Sequence, residues 1–139
     1  MRTVTQDVRQ AAVIAFRAGR ICLVLSSGGK RWVVPKGCIE RGQTAGETAL
    51  QEAWEEAGLL GVLGREPIGS YIYHKAGMTR HVTVFHMEVT EIAQDWPERS
   101  WRRRRWLGRT QVEARIQDLG LRKLVRKFLT AESQALAHS

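Results

Sequence analysis

Apolar and polar positions along the chain follow two periods, one typical of strands and one typical of helices. Alternation with a period of two is clearest over residues 80–90, where Val82 and Val84 fall on one face and Phe85 and Met87 on the other. Shorter runs of apolar and β-branched residues, bounded by turn residues, predict further strands. These runs span residues 11–17, 21–25, 32–34, 59–62 and 69–74, after a polar lead-in over residues 1–10.

Residues 45–57 have the spacing of an amphipathic helix. Thr44 and Glu47 form the sequence signature of a capping box at its start, and Gly58 suits the left-handed conformation just beyond its end. At about 100° per residue, one side of this helix is predicted to pack against the core. The residues on that side are Leu50, Ala53, Trp54 and Ala57.

The same helical spacing returns near the end of the chain. Residues 111–115 and 119–131 carry apolar positions that predict helices packed on the sheet, whereas residues 132–139 are predicted to fray. No internal repeat, linker or low-complexity segment interrupts the pattern. Residues 1–139 are therefore predicted to form one domain.

Three carboxylates lie roughly opposite the apolar side of the central helix. Glu52, Glu55 and Glu56 fall in its C-terminal half, where like charges repel one another and the helix dipole disfavours negative charge. A hard divalent cation would relieve that cost, and oxygen ligands of this kind suit Mg²⁺ or, as a substitute, Mn²⁺. The alternative at this point is a solvated acidic face, which is common on exposed helices.

Composition and charge narrow the class of protein. The chain has 139 residues, of which 43% are hydrophobic and 26% charged, as is typical of one globular domain. No apolar run approaches the ~18–20 residues of a membrane span, and we expect a cytoplasmic protein with no membrane partner. Cys22 and Cys38 have no zinc-binding spacing and are expected to be free thiols. The net charge of +8 favours polyanionic partners, with nucleic acid, polyphosphate and inositol phosphates all left open.

Two basic segments admit more than one interpretation. Residues 26–31 (Ser-Ser-Gly-Gly-Lys-Arg) read as a hairpin turn or as a loop whose N–H groups cradle phosphates, although the P-loop spacing is absent. Residues 101–106 carry four arginines between Trp101 and Trp106. They are interpreted as a strand edge with tryptophans packed inward and arginines in solvent, with polyphosphate contact and nucleic-acid contact as alternatives.

The loop and helix over residues 35–61 resemble the Nudix box. The family pattern runs Gly, five residues, Glu, seven residues, Arg-Glu, an aliphatic residue, any residue, Glu-Glu, any residue, Gly and an aliphatic residue. The positions of this chain that match it are Gly37, Glu52, Glu55, Glu56, Gly58 and Leu59. Gln43 and Gln51 stand where the pattern has its first Glu and its Arg.

The resemblance implies a metal site and a hydrolytic reaction. Divalent ions would be held by the backbone carbonyl of Gly37 and by the carboxylates of Glu52, Glu55 and Glu56. Glu52 and Glu55 are the candidate catalytic residues, because one of the box glutamates would activate the attacking water.

The two departures from the family pattern are expected to affect rate rather than fold. The Arg of the pattern orients a neighbouring Glu, so an uncharged Gln51 is expected to slow the chemistry by about 10- to 150-fold. Gln43 offers only a neutral amide oxygen, so a further metal ion is expected to bind more weakly there. A strand carboxylate reaches the metal in some members of this fold, which makes Glu88 a further candidate, whereas His86 is interpreted as structural.

The resemblance covers nearly the whole chain and implies an α/β fold. The expected architecture is the Nudix α/β/α sandwich, with a mixed sheet, a central box helix and a C-terminal helix. Scattered identities, among them residues 31–35 and 89–91, are similar to the diphosphoinositol polyphosphate and diadenosine polyphosphate phosphohydrolases. In that group basic and serine side chains grip phosphates. The matching positions here are Arg9, Ser26, Ser27, Lys30, Arg31, Lys36, Arg80 and Arg104.

From the resemblance we expect a Mg²⁺-dependent hydrolase of a phosphoanhydride bond in an X-linked diphosphate. A dinucleoside polyphosphate or a diphosphoinositol polyphosphate is the expected substrate, and Lys36 looks more like the dinucleoside polyphosphate hydrolases. A nucleoside triphosphate pyrophosphatase is the alternative enzyme. A degenerate box that only binds nucleotide or RNA is the non-enzymatic alternative, although the retained carboxylates argue against it. The chain is expected to be a monomer or a homodimer.

Overall fold

The structure, a computed structural model, describes residues 6–138 and is built on one mixed sheet. Its strands are β1 (Gln6–Arg17), β2 (Arg20–Leu25), β3 (Trp32–Val33), β4 (Lys36–Cys38), β5 (Leu59–Leu63), β6 (Gly69–Lys75), β7 (Met78–Ile92) and β8 (Arg104–Leu107). The hydrogen-bonded order is β3-β2-β1-β7-β5, with β4 beside β1, β6 beside β7 and β8 beside β2. β1 runs parallel to β7, and the other described pairs are antiparallel.

Helices cover both faces of this sheet. They are α1 (Ala45–Ala57), α2 (Arg109–Arg115) and α3 (Leu119–Ala137). Val13 and Phe85 face α1 in one buried cluster, while Ile14 and Val84 face α2 and α3 in the other. The predicted alternation over residues 80–90 and the predicted α/β/α sandwich are therefore confirmed.

α1 begins and ends at the residues that the sequence predicts. Thr44 Oγ1 accepts from the Glu47 N–H at 3.1 Å, and Glu47 Oε1 accepts from the Thr44 N–H at 3.0 Å. Hydrogen bonding of the Glu47 carboxylate to the backbone N–H of Thr44, and also to its side chain, lowers the pKa of Glu47 below its ordinary value. Gly58 adopts the left-handed conformation with φ of 65°, which glycine allows without steric cost.

The buried side of α1 is rotated from the predicted one. Leu50 is 39% exposed, whereas Ala49, Ala53 and Ala57 are fully buried against the sheet. The prediction that Leu50 packs inward is therefore wrong. Small residues spaced four apart let the helix lie close to the strands, and this rotation also buries Glu56.

The loop before α1 contains a short strand that the sequence analysis did not predict. β4 pairs with β1, so that Gly37 lies opposite Ala11 and Cys38 opposite Gln10. This pairing fixes the glycine loop to the centre of the sheet, beneath the acidic side of α1.

Several boundaries lie further out than predicted. β1 already begins at Gln6 within the predicted lead-in, because its parallel pairing with β7 starts there; residues 1–5 lie outside the described residues. α3 continues to Ala137, beyond the predicted helix over residues 119–131, and fraying of the tail over residues 132–139 stays a prediction. Their Ala, Glu, Gln and Leu residues are good helix formers. Within residues 6–138, no helix has the length and apolar composition needed to span a membrane.

Candidate active site

The glycine loop and the acidic side of α1 meet at Gly37. A side chain at this position would overlap the carboxylate of Glu52, so the β4 backbone and the Glu52 side chain are in direct contact. A Cβ at position 37 would force the Glu52 carboxyl group to move away from the β4 backbone. The predicted metal-site residues Gly37 and Glu52 are thus neighbours.

Glu52 and Glu56 form a hydrogen-bonded carboxyl pair one helical turn apart. The side chain of Glu56 is only 7% exposed, and burial together with the bond to Glu52 raises the pKa of Glu56 to about 9. Burial also raises the pKa of Glu52. Without a cation the pair therefore retains a proton at neutral pH, and a bound cation would favour its ionised form.

Arg102 closes the other side of Glu56. Its Nη2 lies 3.9 Å from Glu56 Oε2, its Nε donates to Glu98 Oε1 at 2.9 Å, and its Nη1 donates to the Leu25 carbonyl at 2.6 Å. Arg102 is buried while Trp101 is 53% exposed. The predicted orientation of this segment is therefore wrong at both positions, because regular strand geometry begins only at Arg104.

Arg104 and Trp96 hold the C-terminal end of α1. The Arg104 guanidinium donates to the Ala57 carbonyl at 2.7 Å and to the Ala93 carbonyl at 2.5 Å, and it lies 4.0 Å from the centre of the Trp96 ring. Trp96 Nε1 donates to the Glu56 carbonyl at 3.0 Å. Burial lowers the pKa of Arg104. These contacts support the helix that carries the carboxylates.

A cleft of about 190 Å³ opens beside Glu56 and is lined largely by cationic and hydroxyl side chains. The Tyr73 ring lies between two of the cations, with Lys36 Nζ 5.6 Å and Arg80 Cζ 5.8 Å from its centre. The lining residues are Gln10, Ser26, Ser27, Arg31, Val33, Lys36, Glu56, Tyr73, Lys75, Arg80 and Arg102. We call this set the cationic cleft.

A bound anion would stabilise the positive charges of two residues in the cationic cleft, Lys36 and Arg80. Burial lowers the pKa of Lys36, against the raising effect of Glu56. Arg80 Nε is buried and has no hydrogen-bond partner within residues 6–138. Because a buried unpaired donor is costly, a phosphate oxygen at this position would be stabilised by a charge-assisted hydrogen bond.

The cationic cleft brings together five of the eight residues predicted to bind substrate. These are Ser26, Ser27, Arg31, Lys36 and Arg80. Arg9, Lys30 and Arg104 are not among its lining residues: Arg9 is exposed on β1, and Lys30 is exposed in the turn between β2 and β3. That turn is the predicted hairpin, in which Ser26 N donates to the Arg31 carbonyl at 2.7 Å.

The structure adds four polar or cationic lining residues that sequence reasoning missed. They are Gln10, Tyr73, Lys75 and Arg102. Tyr73 pairs with Arg80 across the β6–β7 hairpin, and the alternation of these strands together with the Ala-Gly turn between them carried enough information to find it. Arg102 had no such signal, because its neighbours Leu25 and Glu56 are distant in sequence.

Glu88 and His86 lie on the opposite face of the sheet from α1. Glu88 is exposed, and its alternation with Val84 directs it to the α3 side, away from Glu52. His86 stacks on Phe128 with ring centres 5.5 Å apart. The structural interpretation of His86 is consistent with this contact.

The Glu52–Glu56 pair fits a hard divalent cation. Mg²⁺ is typically held by one or two carboxylates and completes its shell with water and substrate phosphate oxygens. The two carboxyl groups lie beside Gly37, and the cationic cleft begins at Glu56. Within residues 6–138, no three His, Cys, Asp or Glu side chains are arranged to hold a metal ion; Glu55 instead accepts from Gln51 at 2.9 Å. Metal coordination by Gly37, Glu52, Glu55 and Glu56 stays a prediction.

Comparison with known proteins decides the family, since the family model described as NUDIX domain matches residues 7–128. The chain belongs to the Nudix family. It is 36% identical over 124 residues to diphosphoinositol polyphosphate phosphohydrolase 3-beta of Bos taurus, covering 84% of this chain and 72% of that protein. It is 37% identical over 95 residues to the mitochondrial Nudix hydrolase 12 of Arabidopsis thaliana. That match covers 63% of this chain, which spans only about half (47%) of the length of the plant relative.

Solved structures confirm the Nudix fold. A NUDIX hydrolase from Nitrosomonas europaea superimposes with a TM-score of 0.77 at 17% identity, covering 91% of this chain and 90% of that one. The solution structure of the E. coli ORF135 protein gives a TM-score of 0.72 at 17% identity, covering 94% of each chain. The predicted enzyme class is also confirmed: this chain is a Nudix hydrolase. Hydrolases of this family generally use divalent metals and act on small-molecule polyphosphates.

Proposed function

We propose that this Nudix hydrolase cleaves a phosphoanhydride bond in an X-linked diphosphate, with Mg²⁺ held at the Glu52–Glu56 pair. The observation that carries the proposal is the meeting of that pair with the cationic cleft, because Glu56 lines the cleft beside Lys36 and Arg80. A phosphate chain bound by the cations would extend directly to the carboxylates.

Each group around the cleft has a defined part in this proposal. Arg31, Lys36 and Arg80 bind the phosphate chain, and Arg102 keeps the buried Glu56 side chain oriented. Bound Mg²⁺ would neutralise phosphate oxygens and polarise phosphorus toward attack. Either Glu52 or Glu55 accepts the proton of the attacking water.

The surroundings of the cleft favour a nucleotide-containing substrate. A second, smaller cleft of about 80 Å³ shares Arg31, Lys36 and Tyr73 with the first and adds the aromatic side chains of Trp32 and Tyr71. Flat aromatic walls suit a nucleobase better than a densely phosphorylated inositol ring. A dinucleoside polyphosphate is therefore our first candidate, and a diphosphoinositol polyphosphate, suggested by the names of the relatives, is the second.

A metal-dependent release assay tests the proposal. Diadenosine polyphosphates, a diphosphoinositol polyphosphate and nucleoside triphosphates are offered to the wild-type protein and to Glu55→Gln at several Mg²⁺ and Mn²⁺ concentrations. We expect turnover of the dinucleotide class that requires the metal and is nearly lost in the variant. Glu113→Gln is the matched control, since Glu113 pairs with Arg126 on the opposite, α2–α3 side.

Two other outcomes would replace the proposal. Preferential hydrolysis of a nucleoside triphosphate would identify a pyrophosphatase of single nucleotides. No turnover by a folded protein that binds oligonucleotides with steep salt dependence would support the non-catalytic binding module.

A further inference from the structure

The two residues that depart from the Nudix box contact one another. Gln43 Nε2 donates to Gln51 Oε1 at 2.6 Å, and Gln51 Nε2 donates to Glu55 Oε1 at 2.9 Å. Thr48 Oγ1 donates to Gln43 Oε1 at 3.0 Å. A continuous chain of hydrogen bonds thus links the Thr48 hydroxyl to the Glu55 carboxylate.

The donor and acceptor groups involved allow this series of hydrogen bonds to run in only one direction. An ionised carboxylate accepts hydrogen bonds but cannot donate them, so Gln51 must present its NH₂ group to Glu55. Its carbonyl oxygen then faces Gln43, which must present its own NH₂ group in turn. The remaining oxygen of Gln43 faces the Thr48 hydroxyl, and reversing either amide would bring two acceptors together.

We propose that Gln43 and Gln51 act as a matched neutral pair that positions Glu55 for the reaction. The inference rests on the proposed role of Glu55 in hydrolysis. Where the family pattern has Glu and Arg, this chain has two amides, and either combination leaves the pair without net charge. Changing only one member would break the match.

The single substitution Gln43→Glu, which restores the residue of the family pattern, gives the most specific prediction. A carboxylate at position 43 cannot donate, so Gln51 would turn its NH₂ group toward position 43 and its oxygen toward Glu55. Glu55 would then lose its donor and meet an acceptor. The reversion toward the family residue is therefore expected to harm activity, and adding Gln51→Arg is expected to restore it.

Methionine variants separate positioning from folding, because methionine has a similar length but no amide. At position 51, within α1, it also has a similar helix propensity. We expect Gln51→Met to lower kcat about tenfold, and Gln43→Met about threefold, with KM changed less than about twofold in each. The double variant should match Gln51→Met alone, since Gln43 acts through Gln51. Gln94→Met, at an exposed loop position, is the control.

The charge variants and two further measurements complete the test. Gln43→Glu should lose at least about tenfold in kcat, and Gln43→Glu/Gln51→Arg should restore kcat to at least about the wild-type level. In the metal-free protein, Glu55→Gln should shift the side-chain amide NMR resonances of both Gln43 and Gln51 but not of Gln94. Thermal unfolding should change little in the methionine variants, since Gln51 is exposed and Gln43 is partly exposed.

Several results would overturn the inference. It fails if the two methionine effects multiply in the double variant, if kcat is unchanged, or if Gln43→Glu is as active as wild type. It also fails if the losses of activity follow losses of thermal stability. A wild-type protein that neither binds Mn²⁺ nor hydrolyses any polyphosphate would refute the proposed function itself, whereas the NMR coupling tests the hydrogen-bonded chain alone.

Discussion

Replacing Glu56 by glutamine should change how the stability of the metal-free protein depends on pH. Glu56 is buried between Glu52 and Arg102, and its pKa is raised from an ordinary 4.5 to about 9. A carboxyl group with a raised folded-state pKa contributes stability that is complete below the unfolded pKa. That contribution is lost as the pH rises toward the folded value. The metal-free wild type should therefore lose stability between about pH 5 and pH 9.

The size of the loss follows from the shift in pKa. Each pKa unit corresponds to about 1.4 kcal/mol. The raised pKa of Glu56 should therefore lower the free energy of unfolding by on the order of 2–4 kcal/mol as the pH rises from 5 to 8. Glu56→Gln keeps the shape and a hydrogen bond to Glu52 but does not ionise. The variant should therefore be more stable than wild type at pH 8 and should lose most of this pH dependence.

Urea unfolding at pH 5, 6, 7 and 8, in the presence of a chelator, measures this difference. Glu113→Gln controls for the general effect of removing a carboxylate. Mg²⁺ at pH 8 should stabilise the wild type and have little effect on Glu56→Gln. Parallel pH profiles for wild type and Glu56→Gln would refute the assignment of the buried proton to this pair.

Three further substitutions test other parts of the site. Gly37→Ala should weaken Mn²⁺ binding at least about tenfold, because its Cβ would displace the Glu52 carboxylate, and unchanged binding by electron paramagnetic resonance would contradict this. Arg80→Met should raise KM about tenfold with little change in kcat, because the cation contacts phosphate in both ground and transition states; a fall in kcat alone would argue against that role. Arg104→Met should lower the unfolding free energy by about 2 kcal/mol, because the Ala57 and Ala93 carbonyls lose their charged donor. Urea unfolding checks this, and an unchanged midpoint would contradict it.

Features that depend on neighbouring residues could be predicted from the sequence. The capping box needs only Thr44 and Glu47, three residues apart, and the end of α1 needs only a glycine at position 58. Alternation in β7 likewise assigned Val84 and Phe85 to opposite faces before any contact was known. These are local rules of backbone geometry, and they place the box glutamates on one helix.

Features that depend on distant contacts could not be predicted in this way. Arg102 is buried against Leu25 and Glu56, which are distant in sequence, and no periodicity in residues 101–106 indicates this. Leu50 lies outside the core because the small residues Ala49, Ala53 and Ala57 let their side of α1 approach the sheet more closely. Both outcomes follow from how α1 and the segment before β8 pack against the rest of the fold. The cytoplasmic location and the monomeric or dimeric state stay predictions.

The most direct test of the account is the dependence of hydrolysis on Mg²⁺ concentration in wild type and Glu52→Gln, with diadenosine polyphosphate as substrate. We expect saturable, metal-dependent turnover in wild type and a loss of at least about 100-fold in the variant, with Glu113→Gln unaffected. Turnover that persists in a chelator, or that survives Glu52→Gln, would contradict a metal site at the Glu52–Glu56 pair.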